Sequence, residues 1–262
     1  MTRLTALPLC LMIAAPALAQ EAPLPPGMEV IEVIDGWQTP SGERIAALRI
    51  ALDQGWKTYW RSPGDAGIPP SFNFTDSRNV AAVEMHWPAP EVFDQNGLRS
   101  VGYHDELILP LAITPADPTQ PVALSADLEL GICHDVCVPV SLEVSKDLQG
   151  PGAPNETIRA AMTAQPRPIE GGARCTVEPI ADGMRVTALI DLPADQARDA
   201  FLELRSTPMW VSDAVARRDG DTLIAMAEFV PENAKPFALD QNDLRITVLS
   251  ENGALEINGC PN

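Results

Sequence analysis

The stretch Val122-Ala-Leu-Ser-Ala-Asp-Leu-Glu-Leu-Gly-Ile-Cys-His-Asp-Val-Cys-Val-Pro-Val-Ser-Leu-Glu-Val144 decides how the rest of the chain is read. Val122 to Leu130 and Val138 to Val144 read as extended segments. Cys133 and Cys137 flank the short turn between them. A strand on each side of a tight turn brings the two sulfurs within bonding distance. Closing so small a loop constrains the unfolded chain by only ~2 kcal/mol. The pair is therefore a poor stabiliser, and a small, readily strained loop makes a disulfide easier to reduce. The residues alone leave three readings open: a redox-active pair, a hairpin staple and a metal site. A protonated His134 would favour a neighbouring thiolate, while Asp135 opposes it. Two thiolates with an imidazole, here Cys133, Cys137 and His134, also suit Cu(I).

Outward from this hairpin the same style of sequence continues. Met28 to Ile34, Arg44 to Leu52, Trp56 to Trp60, Val80 to Trp87 and Leu107 to Ile113 read as strands, separated by clusters of Pro, Gly, Asp and Asn. Many short strands with turn signals between them predict an all-β sandwich. The chain holds 26 prolines, which suit turns and strand edges and not helix interiors. No β-α-β alternation is present, which counts against a thioredoxin-like or Rossmann core.

The composition shifts after the hairpin. Gln149-Gly-Pro-Gly-Ala-Pro-Asn155 is rich in breakers. Glu156 to Ala164 suits a short helix with Asn155 as its cap and Pro166 beyond its end. We read 149–172 as a connection and 173–262 as a second, smaller β-rich domain. Its expected strands are Met184 to Ile190, Thr222 to Phe229, Leu244 to Leu249 and Ala254 to Ile257, with Pro193 to Ala200 expected to be helical. Cys175 and Cys260 bracket this unit. Joining them constrains the unfolded chain by ~4–5 kcal/mol, the mark of a structural bond.

The opposite end carries an export signal. Arg3 gives a positive start, Leu4 to Leu18 is apolar and too short to span a bilayer, and Ala17-Leu18-Ala19 offers the small-x-small pattern for cleavage. The expected scheme is a signal peptide over 1–19, a first domain over 20–148, the connection over 149–172 and the second domain over 173–262. Cys10 leaves with the signal, so Cys133, Cys137, Cys175 and Cys260 remain, in a periplasmic compartment where disulfides persist. Loss of Arg3 leaves 17 basic against 36 acidic residues. That balance argues against nucleic acid or anionic lipid as a partner, and the spread of Asp and Glu along the chain reads as a solvated acidic surface.

Few other groups offer chemistry. The histidines are His86, His104 and His134. No serine or cysteine has a recognisable histidine–acid partner, and no zinc or phosphate motif is present. His86, beside Trp87 at a strand end, reads as structural. His104 lies in Gly102-Tyr-His-Asp-Glu106, which reads as a polar loop.

Five stretches in order carry a resemblance: Gly55-Trp-Lys-Thr-Tyr-Trp-Arg-Ser-Pro-Gly-Asp-Ala-Gly67, Trp87-Pro-Ala-Pro90, Gly102-Tyr103, Leu109-Pro-Leu111 and the Cys133/Cys137 turn with Pro139. Over about Gly27 to Ser145 the chain resembles the N-terminal periplasmic domain of the thiol:disulfide interchange protein DsbD, and still more its ScsB relatives, linked to copper tolerance. The second domain resembles the extra β-domain of the ScsB branch. The resemblance implies an immunoglobulin-like β-sandwich with Cys133 and Cys137 as the catalytic pair. It implies no organic cofactor. Its partners would be a membrane-embedded electron donor, encoded separately, and periplasmic thioredoxin-like acceptors. A loop of the family covers the pair with an aromatic residue. The matching stretch is Glu91-Val-Phe-Asp-Gln-Asn-Gly97, which makes Phe93, in what reads as a polar loop, the expected cap. Trp60 matches an aromatic position beside the pair, and Tyr103 and His134 complete the expected surroundings. The cysteine spacing is shorter than in the best-known DsbD. Two alternatives stand beside exchange: a Cu(I)-binding protein using Cys133, Cys137 and His134, and a non-catalytic binding module with a permanent staple.

Overall fold

Arg44–Leu52, strand β2, is buried on nearly every residue, although a strand facing water would alternate. The structure explains this by covering both of its faces. It is a computed structural model and describes residues 23–95, 97–193, 198–207, 209–250 and 253–260. The signal expected over 1–19 lies outside these residues.

β2 lies between β1 (Met28–Gln38) and β8 (Glu106–Pro115), and β5 (Val80–Met85) completes this antiparallel sheet beyond β8. On one face Ala46, Leu48 and Ile50 join Leu109, Leu111 and Ile113 in the main core. On the other, Ile45 and Ala47 pack with Ala112 against Ile158. Ile158 belongs to α1 (Glu156–Thr163), whose N-cap Asn155 accepts from the backbone N–H of Thr157 and Ile158.

The facing sheet is built around β9 (Val122–Cys133). It runs β10 (Cys137–Leu148), β9, β3 (Lys57–Tyr59), β7 (Leu98–His104) and β6 (Glu91–Gln95), with β4 (Ser71–Asn73) also on β9. Leu124, Ala126, Leu128, Leu130 and Ile132 alternate inward from β9 and meet the first sheet. The two layers form an immunoglobulin-like sandwich. Two sequence expectations are corrected. Phe93 lies in strand β6, not a loop, and Gly102 to His104 belong to β7, which pairs with β6 in an antiparallel hairpin. The short polar stretch between them had the look of a loop, yet Asn96-Gly97 is a two-residue hairpin signal.

A second β domain follows. One sheet is β11 (Arg167–Ile169), β19 (Gly253–Asn258), β18 (Leu244–Ser250) and β14 (Asp199–Leu204). The other is β12 (Ala173–Pro179), β13 (Met184–Asp191), β17 (Thr222–Val230) and β15 (Trp210–Val211), with β16 (Val215–Asp219) also on β17. Val186, Ala188 and Ile190 face Ile246, Val248 and Ile257 in its core, together with Cys175 and Cys260. The helix expected over Pro193 to Ala200 is corrected at its end: Asp199 and Ala200 pair with Leu249 and Val248 as strand β14. Residues 194–197 of that stretch lie outside the described residues. The apolar run Ala200-Phe-Leu202 decides the outcome, because a sheet neighbour satisfies its backbone while both of its faces are covered.

Candidate functional site

The β9–β10 hairpin sets the two cysteines opposite each other, and they are disulfide-bonded. The setting of the two sulfurs is unequal. Cys133 is 1% exposed, whereas Cys137 is exposed, as are His134, Asp135 and Val136 at the tip. Val136 is 71% exposed, an apolar side chain held out in water beside the bond.

Two more strands extend the row that holds the cysteines. Lys57 of β3 pairs with Cys133 on one side and with His104 of β7 on the other. Directly opposed residues share a face, so alternation puts Cys133, Lys57 and Tyr59 on the outer face and Thr58 and Ile132 in the sandwich. Thr58 anchors β3 there by donating its hydroxyl to the Gly131 carbonyl at 3.0 Å. The Tyr59 hydroxyl reaches the disulfide, 2.7 Å from Cys133 Sγ and 3.2 Å from Cys137 Sγ. Burial raises the pKa of that hydroxyl, so it stays protonated and able to donate.

Gly131 makes room for this contact. A Cβ there would lie 2.9 Å from Tyr59 Cε2 and 2.7 Å from Cβ of Ile68. Residues 60–70, between β3 and β4, thus fold back over the outer face, with Ile68 and the Tyr59 ring both over Gly131. On the other flank of the turn, His134 packs its ring 6.1 Å from that of Trp56, and its Nδ1 meets Asp135 Oδ2 at 3.0 Å.

The aromatic group on the sulfurs is therefore Tyr59. Trp60, expected beside the pair, is turned off that face. It is fully buried and meets Phe201 of the second domain edge-on at 5.7 Å. Alternation along β3 is the reason, since adjacent residues cannot both face the cysteines. Tyr103 pairs with Thr58 and faces the sandwich core in the same way. Its hydroxyl donates to the Pro88 carbonyl at 2.8 Å, its ring stacks on Trp87, and burial holds its pKa well above the usual value. Phe93 is buried on β6. The Lys57 ammonium sits 4.9 Å from its ring centroid and the His104 ring 4.3 Å away. Lys57 Nζ also donates to Ser100 Oγ at 3.3 Å, and burial lowers its pKa. His86 Nδ1 lies 3.1 Å from Gln165 Oε1, tying β5 to the chain beyond α1.

Among the described residues, no three His, Cys, Asp or Glu side chains converge on a metal position, and no helix is long and apolar enough to cross a membrane.

The site is thus a disulfide-bonded cysteine pair on a hairpin of the sandwich, with one cysteine buried, one exposed and a tyrosine hydroxyl on both sulfurs. Residues 29–149 match the family model described as thiol:disulfide interchange protein DsbD, N-terminal. Among solved structures the chain is similar to the N-terminal periplasmic domain of ScsB from Proteus mirabilis. That match has 23% identity and a TM-score of 0.60, and covers 86% of this chain and 90% of that one. Such coverage reaches beyond residue 149, so the fold of both β domains is shared. A match to a marsupial T cell receptor, at 10% identity and a TM-score of 0.18 over 90% of this chain and 97% of that one, is too weak to bear on the fold. No curated protein matches the sequence significantly.

Proposed function

We propose that the chain is an exported, periplasmic exchange protein that relays electron pairs through Cys133 and Cys137. One observation carries this reading: the bond joins an exposed residue, Cys137, to a buried one, Cys133, whose sulfur has a hydroxyl donor at 2.7 Å. A donor thiolate attacks Cys137 Sγ, the accessible end. The S–S bond breaks, its electron pair departs on Cys133 Sγ, and the Tyr59 O–H donates to the new thiolate. A charge-assisted hydrogen bond lowers the pKa of the leaving thiol, and a lower pKa leaves faster. The donor's second thiolate then attacks the donor sulfur of the mixed disulfide and frees Cys137. The donor is left oxidised, and this chain holds two more electrons and two thiols. Discharge runs in reverse. The Cys137 thiolate attacks an acceptor disulfide, Cys133 then attacks Cys137 Sγ, and the acceptor leaves reduced. The family resemblance supports a membrane-embedded donor and thioredoxin-like acceptors.

The working units are the exchange domain over 20–148, the connection over 149–172 and the second domain over 173–262, after cleavage at Ala19. Mass spectrometry of the exported protein should find Gln20 at its N-terminus; retained Met1 would contradict export.

Single-cysteine variants test the exchange. Cys133→Ser keeps the exposed thiol and should trap a mixed disulfide with a thioredoxin-like protein after acid quenching. Cys137→Ser leaves a buried thiol under Tyr59 and should trap none. Equal trapping by both would refute the assignment of the attacked sulfur. No trapping by either, with a wild-type pair that stays oxidised at about −270 mV, the potential of thioredoxin, would replace exchange by the staple reading.

A further inference from the structure

The residues next to Tyr59 leave the exchange domain and grip the second one. Arg61 donates through Nε to Glu203 at 3.0 Å and through Nη2 to Glu256 at 3.2 Å and Thr247 Oγ1 at 3.2 Å. These partners share one face of the β14–β18–β19 sheet, where Phe201, Thr247 and Glu256 form a single cross-strand row and Glu203 pairs with Arg245. Phe201 in that row packs on Trp60, and the Arg61 guanidinium lies 4.3 Å from the centre of the Trp60 ring. The side chains of Arg61 and Glu203 are each 13% exposed, so the pair is shielded from water. Two further contacts continue the seam. Arg99 pairs with Asp199, and Asp65 Oδ1 accepts the Asp213 backbone N–H at 3.0 Å.

Every group that the second domain holds by side chain in this segment is therefore one or two residues from Tyr59, or lies in the turn that returns over it at Ile68. We propose that the second domain positions the redox site. Through Arg61 it fixes residues 60–68, and through them it holds the Tyr59 hydroxyl on the cysteine sulfurs. Arg61 is a positioning residue, and it touches neither sulfur. The mechanical logic is short. β3 has three residues and ends at Tyr59, so its own ladder offers little to fix the side chain at its last position. A fork on two carboxylates and a buried indole immediately beyond that position supply what the ladder lacks. The geometry also gives the second domain a purpose, although its own cysteine pair is locked away in a core.

The proposal rests on the exchange reading only for its use; the coupling itself is read on the purified chain, with dithiothreitol as the sole thiol. Tyr59→Phe removes the donor, disfavours the reduced form and should shift the Cys133–Cys137 equilibrium about tenfold toward the disulfide, ~30 mV for a two-electron couple. Arg61→Ala should move the equilibrium the same way by about threefold and slow opening of the bond. Arg61→Lys, which retains the charge but not the two-carboxylate fork, should recover part of the shift. In the Tyr59→Phe background, Arg61→Ala should add nothing to the potential or to the pH profile of Cys133 alkylation. A folded Arg61→Ala chain with wild-type potential, or a shift that persists in full without the Tyr59 hydroxyl, overturns the proposal. Should Arg61→Ala not fold, Glu256→Gln removes one arm and keeps the Glu203 bond. Its shift should be smaller and equally dependent on Tyr59, and independence from Tyr59 would again refute the coupling. Failed partner trapping alongside a Tyr59-dependent shift would sink the exchange reading and leave this one standing.

Discussion

The chain holds two disulfides in opposite settings. Cys175 and Cys260 are 85 residues apart and lie in the core of the second domain, 1% and 0% exposed. Cys133 and Cys137 are 4 residues apart at the tip of a hairpin, and Cys137 is an exposed residue. The first bond restricts the unfolded chain greatly and cannot be reached. The second restricts it little and is presented. Bond type alone therefore says nothing about role; loop length and burial are what set the two bonds apart. The adjoining polar groups agree. The short bond has a hydroxyl donor at its buried sulfur, which under the proposed exchange would stabilise a departing thiolate.

The largest expected effect comes from breaking the long bond. The Cys175→Ala/Cys260→Ala variant should lose ~4–5 kcal/mol of stability in the second domain, measured by urea unfolding. Cys133→Ala/Cys137→Ala should lose ~2 kcal/mol or less. Dithiothreitol at a concentration that opens the short bond should leave the long one intact by peptide mapping. Comparable stability losses, or simultaneous reduction, would erase the distinction between the two.

A smaller effect is expected at Gly131, where there is no room for a side chain. Gly131→Ala puts a methyl into the Tyr59 ring and Ile68. Overpacking of this kind costs about 1–3 kcal/mol. The informative readout is not that loss but the pair: displacement of Tyr59 should depress reactivity toward dithiothreitol, while the Cys175–Cys260 bond behaves as in wild type. Unchanged reactivity in a destabilised Gly131→Ala chain would show that the Tyr59 contact is incidental.

Much of this contrast is legible in the sequence. Cysteine spacing distinguishes a hairpin turn from a bracket around a domain, and the dense turn signals exclude a helical core. Placement of the aromatic residues was not legible. Tyr59 and Trp60 are adjacent, and their facing depends on which strand β3 pairs with, which no local pattern states. The β6–β7 hairpin was concealed for a related reason. Its strands carry Glu91, Asp94, Arg99 and His104, and their polarity resembles a loop until the outer face is found to hold Lys57 and Phe93. The domain seam is beyond sequence reasoning altogether, since Arg61 meets Glu203 and Glu256 from 142 and 195 residues away.

The smallest effect is expected at Phe93, and the structure changes what should be tested there. Shielding of the sulfurs by this ring is a proposal drawn from the family resemblance. Its observed neighbours are Lys57 and His104, and Lys57 pairs in register with Cys133. A loop residue could be cut to alanine at little cost. A ring that is 7% exposed on β6 cannot, because removing a buried Phe side chain costs about 3–5 kcal/mol, and a loosened hairpin would itself expose the site. Phe93→Leu is the cleaner probe. It keeps most of the volume and removes the ring face under the ammonium, a contact worth ~0.5–1 kcal/mol. Stability should fall by about that amount. If the aromatic ring shields the bond, the rate of opening by a small neutral thiol such as 2-mercaptoethanol should rise, while the equilibrium potential stays fixed, because access is a kinetic quantity and leaves both end states alone. A shift in potential instead would place Phe93 in the electrostatics of the site through Lys57. An unchanged rate in the folded variant would assign Phe93 to packing, and leave Tyr59 as the one aromatic side chain acting on the sulfurs.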